Sequence, residues 1–242
     1  MQNAPEDNEA PPQDTAKVRQ PGRAVSRQVL ADHVYAELLS SLMDGRLAPG
    51  AVVSIDGTAR DLDVSPTPVR EALARLEHTG MVRRVALKGY RVAPVFTRED
   101  FAELMEARLA IEPVNAKLAC ERIGRKGLAE LERAVEDLKA APRGPSYAEF
   151  KDYLEADERF HQLIAQHTGN QFMAAAYASL GGQIQRFRLF GGVGITDADS
   201  AIAEHQAVLE ALSSGNPGKA EAAMAEHIRQ VRARAMADAP SG

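Results

Sequence analysis

This chain has no tryptophan, one cysteine and only 5% aromatic residues in a length of 242. The lone thiol, Cys120, excludes an internal disulfide; beside Ala116 and Ala119 it reads as a small packed hydrophobe rather than a reactive group. No apolar run approaches the roughly 18 residues of a membrane span, and the N-terminus lacks the apolar core of a secretory signal, so the cytoplasm is the expected location. The glycine-rich segment Phe190-Gly191-Gly192-Val193-Gly194 lacks the strand and the spacing of a phosphate-binding loop and is expected to connect two helices. What the chain does have is 45% hydrophobic residues, ample for a core in each of two domains.

The densest local signal runs from Val64 to Glu77. Thr67 can cap a helix through its hydroxyl, Pro68 suits the first helical position, and Val69, Leu73 and Leu76 form one apolar face. Arg70 and Arg75 project elsewhere. Ile55 to Leu62 reads as a short preceding helix and Asp63-Val64-Ser65 as the turn, which makes a helix-turn-helix whose second helix meets base edges with its first turn. Met81-Val82-Arg83-Arg84-Val85 and Tyr90-Arg91-Val92-Ala93-Pro94-Val95 read as two strands of a β-hairpin wing carrying Lys88 and Arg91. Upstream, Val34, Leu38, Leu39 and Leu42 recur at helical spacing. The candidate DNA contacts are Ser65, Thr67, Arg70, Arg75, Lys88 and Arg91.

Charge divides in the same sense. Residues 1–20 carry 2 basic and 4 acidic side chains, residues 21–98 carry 11 and 8, and residues 99–242 carry 16 and 22, so the three parts hold −2, +3 and −6. A basic head on an acidic body suits specific DNA binding with little adhesion elsewhere. The expected division is a disordered tail over 1–24, a winged helix-turn-helix over 25–96, an all-α domain over 97–237 and a short tail over 238–242.

Gly45-Arg46-Leu47-Ala48-Pro49-Gly50, the block from Val64 to Leu73, and Gly80-Met81-Val82 with Gly89-Tyr90-Arg91-Val92 together resemble the winged-helix domain of GntR-type transcriptional regulators. Pro66 stands where many of those relatives carry a basic residue.

From Thr97 onward helical spacing prevails. Thr97 to Asp100 can cap a long helix reaching about Arg122, and further starts lie near Gly127, at Ser146 with Glu149, near Asn170, near Asp197 and at Asn216 with Pro217. The fold class is therefore mainly α: a winged helix-turn-helix with a small hairpin wing, then an all-α bundle of six or seven helices. Four polar residues interrupt its apolar stripes. Asp157 and His161 sit one turn apart on one helix, His205 lies between Ile202 and Leu209, and His227 lies between Ala223 or Met224 and Val231. Three imidazoles and one carboxylate in a bundle core suit a divalent transition metal, zinc or nickel foremost, with iron also compatible. His33, His78 and His167 lack such company and read as surface, helix-end or packing residues.

Glu106-Ala107-Arg108-Leu109-Ala110-Ile111-Glu112, Asp157-Glu158-Arg159-Phe160-His161, Glu204-His205 and His227-Ile228 resemble the FadR-type C-terminal (FCD) domain of one branch of the GntR regulators. The resemblance implies that Asp157, His161, His205 and His227 bind the ion, that a small organic acid is the effector, and that the working form is a homodimer. Arg108 either grips the effector carboxylate or pairs with Glu112 as a structural bridge, and Asn115 is a second candidate effector contact. Arg186 and Arg188 either face the same cavity or are solvated.

The expected activity is that of a ligand-responsive regulator, a repressor more often than an activator, reading an inverted repeat of double-stranded DNA. Two other readings remain at this point. A metal sensor would respond to the ion alone, and a metal-dependent hydrolase would need a general base that the spacing of Glu158 does not supply.

Overall fold

Val34, Leu38, Leu39 and Leu42 return on one face of α1 (Gly22–Met43) in the structure, a computed structural model that describes residues 22–86, 89–144, 146–190 and 197–238. The first three residues of α1 fall within the stretch expected to be the N-terminal tail. Next come β1 (Val52–Val53), α2 (Ile55–Asp61), α3 (Pro66–His78), β2 (Val82–Val85) and β3 (Gly89–Val92). The strands form an antiparallel sheet in the order β1-β3-β2, with Val82 opposite Val92 and Arg83 opposite Arg91. The strand β1 was not expected from the sequence, because two residues are too few to show a period of two.

One expectation at α3 is corrected. The N-cap is Ser65, in extended conformation, and the helix opens with Pro66, leaving Thr67 inside the first turn rather than at the cap. Proline at the first helical position forfeits an N–H that has no partner within the helix, so two prolines near the start are tolerated. Val69, Leu73 and Leu76 are fully buried and seat the helix against α1, as their spacing predicts.

The remaining helices form the bundle: α4 (Arg98–Arg122), α5 (Arg125–Ala140), α6 (Tyr147–His167), α7 (Gln171–Phe190), α8 (Ala198–Ser213) and α9 (Pro217–Asp238). Thr97 with Asp100 and Ser146 with Glu149 make the two capping boxes read from the sequence. Between them, α5 starts two residues ahead of Gly127, which lies inside the helix against His167. Met105, Phe160, Ile164, Val208, Met224 and Ile228 fill the bundle core. Burying each such large side chain contributes about 1.5–3 kcal/mol. Among the described residues no helix is long and apolar enough to cross a membrane.

The winged helix and the bundle share packing. Leu138, Tyr147, Tyr153 and Leu154 belong to the same buried cluster as Val34, Leu38 and Leu42 of α1. The Tyr147 amide donates to Asp44 Oδ1 at 3.0 Å. At a second contact, Gly182 of α7 approaches Thr79, the C-cap of α3, so closely that a Cβ on the glycine would lie 2.6 Å from the Thr79 Cα.

Candidate functional site

The candidate reading surface starts at the N-terminus of α3. Ser65 and Arg70 are exposed there and Thr67 is half-buried. Arg75 lies further along the helix and is engaged with α1: its Nη1 is 2.6 Å from Asp32 Oδ1, and its guanidinium stands 4.1 Å over the Tyr35 ring. Arg91 in the wing is half-buried and donates to the Gly50 carbonyl at 2.5 Å. Its cross-strand neighbour Arg83 is exposed. Lys88 lies outside the described residues, as do Gly191 to Gly194 and the side chains of Phe190, Arg186 and Arg188.

In the bundle, the four polar interruptions converge. Asp157 and His161 come from α6, His205 from α8 and His227 from α9, and all four are buried. One ring nitrogen from each histidine lies within 4.8 Å of the others. His161 Nε2 and His205 Nε2 are 3.2 Å apart, and Asp157 Oδ1 is 3.4 Å from His205 Nε2. Helical spacing brings the first pair together; only the tertiary fold brings the other two.

The outward nitrogens decide which atoms face the centre. His205 Nδ1 is 2.6 Å from the Ala201 carbonyl, which can only accept, so that nitrogen carries the proton and Nε2 is bare. His227 Nδ1 stands 2.9 Å from Glu204 Oε2 in the same manner. His161 Nδ1 is 2.7 Å from Glu112 Oε2, though off the line of a good hydrogen bond. His205 and His227 thus turn lone pairs inward, and the inner nitrogens of His161 and His205, 3.2 Å apart in a buried site, require a proton or a metal ion between them. Burial first, then the nearby His205, His161 and Arg108, push the His227 pKa well below the usual histidine value, which keeps the ring in its ligating, neutral form. The donor set fits a divalent ion.

Behind the histidines lie two carboxylate supports. Glu112 is held by Arg108, whose Nε is 2.5 Å from Oε1, and both side chains are almost fully buried. Burial would raise the Glu112 carboxyl, but the Arg108 charge and then His161 outweigh it and hold the pKa at about 2. Of the two roles open to Arg108, the structure displays the bridge to Glu112. Glu204 is held by Arg234 at 2.5 and 3.1 Å, and Arg234 also reaches Asp197 at 2.8 Å. Sequence reasoning missed Arg234, because a half-exposed arginine near the end of a helix carries no local mark of a partner on another element.

Asn115 is buried on α4, beyond Glu112. Tyr177 of α7 stacks on His161 with ring centroids 6.2 Å apart. Glu158 is half-buried against Gly181 of α7, and burial raises its pKa. Cys120 is buried with Sγ 3.6 Å from the Leu212 carbonyl, in keeping with a packing role. His33 and His78 are exposed, and His167 stands 3.4 Å from Glu130 at the end of α6.

Comparison with known proteins adds identity to this geometry. The model of bacterial regulatory proteins of the gntR family matches residues 30–92, and that of the FCD domain matches residues 103–230. The chain is similar to the HTH-type transcriptional regulator YcbG of Bacillus subtilis, with 26% identity covering 86% of this chain and 91% of the relative. It is also similar to the HTH-type transcriptional repressor RspR of Escherichia coli, with 23% identity covering 84% and 88%. Among solved structures, that of E. coli McbR/YncC aligns with a TM-score of 0.67 at 23% identity, covering 86% of this chain and 97% of the other, a likeness of fold. The matched families are those of regulators, not enzymes, and their two models together span the winged helix and most of the bundle. The chain belongs to the GntR family of DNA-binding transcriptional regulators, in the branch whose C-terminal bundle is an FCD domain.

Proposed function

We propose that this regulator is a cytoplasmic, homodimeric repressor whose bundle holds a divalent transition metal, zinc or nickel, on Asp157, His161, His205 and His227. The observation that supports the metal is the set of three buried imidazoles, each with its outer nitrogen against an acceptor and its inner nitrogen beside the others. Four protein ligands leave one or two positions of an octahedral ion open for a carboxylate, and such a small organic acid is the proposed effector. The dimer presents two α3 helices to successive major grooves of an inverted repeat, with Ser65, Thr67 and Arg70 at the bases and the wing residues Lys88 and Arg91 beside the backbone. Arg75 acts in this reading by fixing α3 to α1. Effector binding shifts the helix spacing, and a coupling of about 1.4 kcal/mol lowers operator affinity tenfold.

The test is elemental analysis of protein purified without a metal-affinity column, beside a variant carrying His205→Ala and His227→Ala. About one equivalent in the parent and a large loss in the variant supports the ion site. No metal in either sinks it and leaves the DNA-binding assignment standing. Operator binding that follows metal concentration with no carboxylate present would make the ion itself the signal.

A further inference from the structure

Asn115 is 1% exposed, yet neither its amide nitrogen nor its amide oxygen has a hydrogen-bond partner in the protein. Leaving a buried polar group in that state costs about 1–3 kcal/mol, so the side chain calls for a partner that the protein itself does not supply. Its position ties it to the ion site. At 100° per residue, Arg108, Glu112 and Asn115 fall within about 60° of one another around α4. A helical Cβ tilts toward the N-terminus, which leans Asn115 back over the turn that carries Glu112. Glu112 in turn touches His161. On the other side of that ring, the Tyr177 hydroxyl is buried near Glu158 without a hydrogen bond of good geometry.

Charge narrows what the partner is. The Arg108 guanidinium is already taken by Glu112. Asp157, Glu112, Arg108 and a divalent ion sum to a single positive charge, which one carboxylate on the ion neutralises, and the Glu158 carboxyl beside Tyr177 adds further negative charge on that side. A second carboxylate would then be buried with no cation left to pair with it, a state that costs several kcal/mol. A hydroxyl is neutral and both donates and accepts, which matches the two open atoms of the Asn115 amide.

We propose that Asn115, assisted by Tyr177, reads the second polar group of the effector, and that the effector is a hydroxy monocarboxylate rather than a dicarboxylate. This rests on the carboxylate-on-ion reading above and names the class within it. The test is calorimetric titration of the full-length, zinc-loaded protein with three probes of one carbon length: lactate, malonate and propionate. Lactate binds at least about tenfold more tightly than either of the others, the equivalent of about 1.4 kcal/mol. In Asn115→Leu the advantage of lactate over propionate disappears while the zinc content stays at the parent level. Malonate binding as tightly as lactate overturns the proposal, and so does an Asn115→Leu protein that keeps the full preference for lactate. If no acid binds the zinc-loaded protein, the carboxylate reading itself fails and this inference with it. Should Asn115→Leu fail to fold, the order of the three acids on the parent protein decides.

Discussion

Glu204 and His205 are chain neighbours on α8 that serve the same centre from two sides: His205 presents a ring to it, while Glu204 stands 2.9 Å behind the ring of His227 on α9. The carboxylate fixes which nitrogen of His227 carries the proton, and Arg234 holds the carboxylate in place. Glu204→Gln keeps the volume but removes the charge and one acceptor oxygen. It is expected to weaken metal binding by about 10–100-fold, the usual effect of losing an outer-shell partner. Competition against a chelator of known affinity reads this directly; an unchanged affinity would mean that Glu204 serves Arg234 alone.

Stability of the chelator-treated protein should depend on pH through His227. Its folded pKa lies well below the ordinary value of about 6.5, so below that pH the unfolded chain binds a proton that the folded chain refuses. The contribution of the neutral ring is therefore complete above about pH 6.5 and declines as the pH falls toward the folded pKa, by up to about 1.4 kcal/mol per pH unit. Urea denaturation at about pH 7.5 and about pH 5.5 measures it. Equal unfolding free energies at the two would show that the folded ring takes up the proton freely.

Arg70 and Arg75 share a helix but should fail differently. Arg70→Ala is expected to reduce operator affinity by about 5- to 150-fold, the loss of one good base contact being worth about 1–3 kcal/mol, with thermal stability unchanged. Arg75→Ala removes an exposed ion pair and a ring contact, each worth up to about 1 kcal/mol, and so lowers the melting temperature slightly. Gel-shift titration and thermal melts of both variants separate the two roles; intact operator affinity in Arg70→Ala would remove it from the reading surface.

Gly182→Ala offers a test of the contact between α7 and α3. Helix propensity alone predicts a gain of up to about 1 kcal/mol from replacing a mid-helix glycine. The new methyl, however, would meet the backbone of Thr79 at 2.6 Å and its carbonyl oxygen at 3.0 Å, and a backbone cannot rotate out of the way as a side chain can. The expected outcome is a lower melting temperature and altered operator affinity with an unchanged metal content. A higher melting temperature with the same operator affinity would show that the two helices part without penalty.

Much of this is legible in the sequence. The turn Asp63-Val64-Ser65, the apolar face of α3 and both capping boxes are local features, and the structure carries them as read, apart from the shift of the α3 cap from Thr67 to Ser65. The meeting of Asp157, His161, His205 and His227 was legible for a different reason: a polar side chain at a core position of an amphipathic helix must find company inside, and four such residues pointed inward. What stayed hidden depends on pairs far apart in the chain. The reach of Arg234 to Glu204, the pairing of β1 with β3, and the fit of Gly182 against Thr79 leave no periodic trace, since each is set by how whole helices and strands dock.

The helix α6 joins two ends of the molecule in one rigid piece. Tyr147 near its start packs with α1 of the reading head, and His161 lies fourteen residues later at the candidate ion site, roughly 21 Å along the axis. A rod of that length turns small displacements into larger ones. Pivoting by about 5° at the histidine end would carry the tyrosine end by about 2 Å, a large fraction of the rise between successive base pairs in duplex DNA.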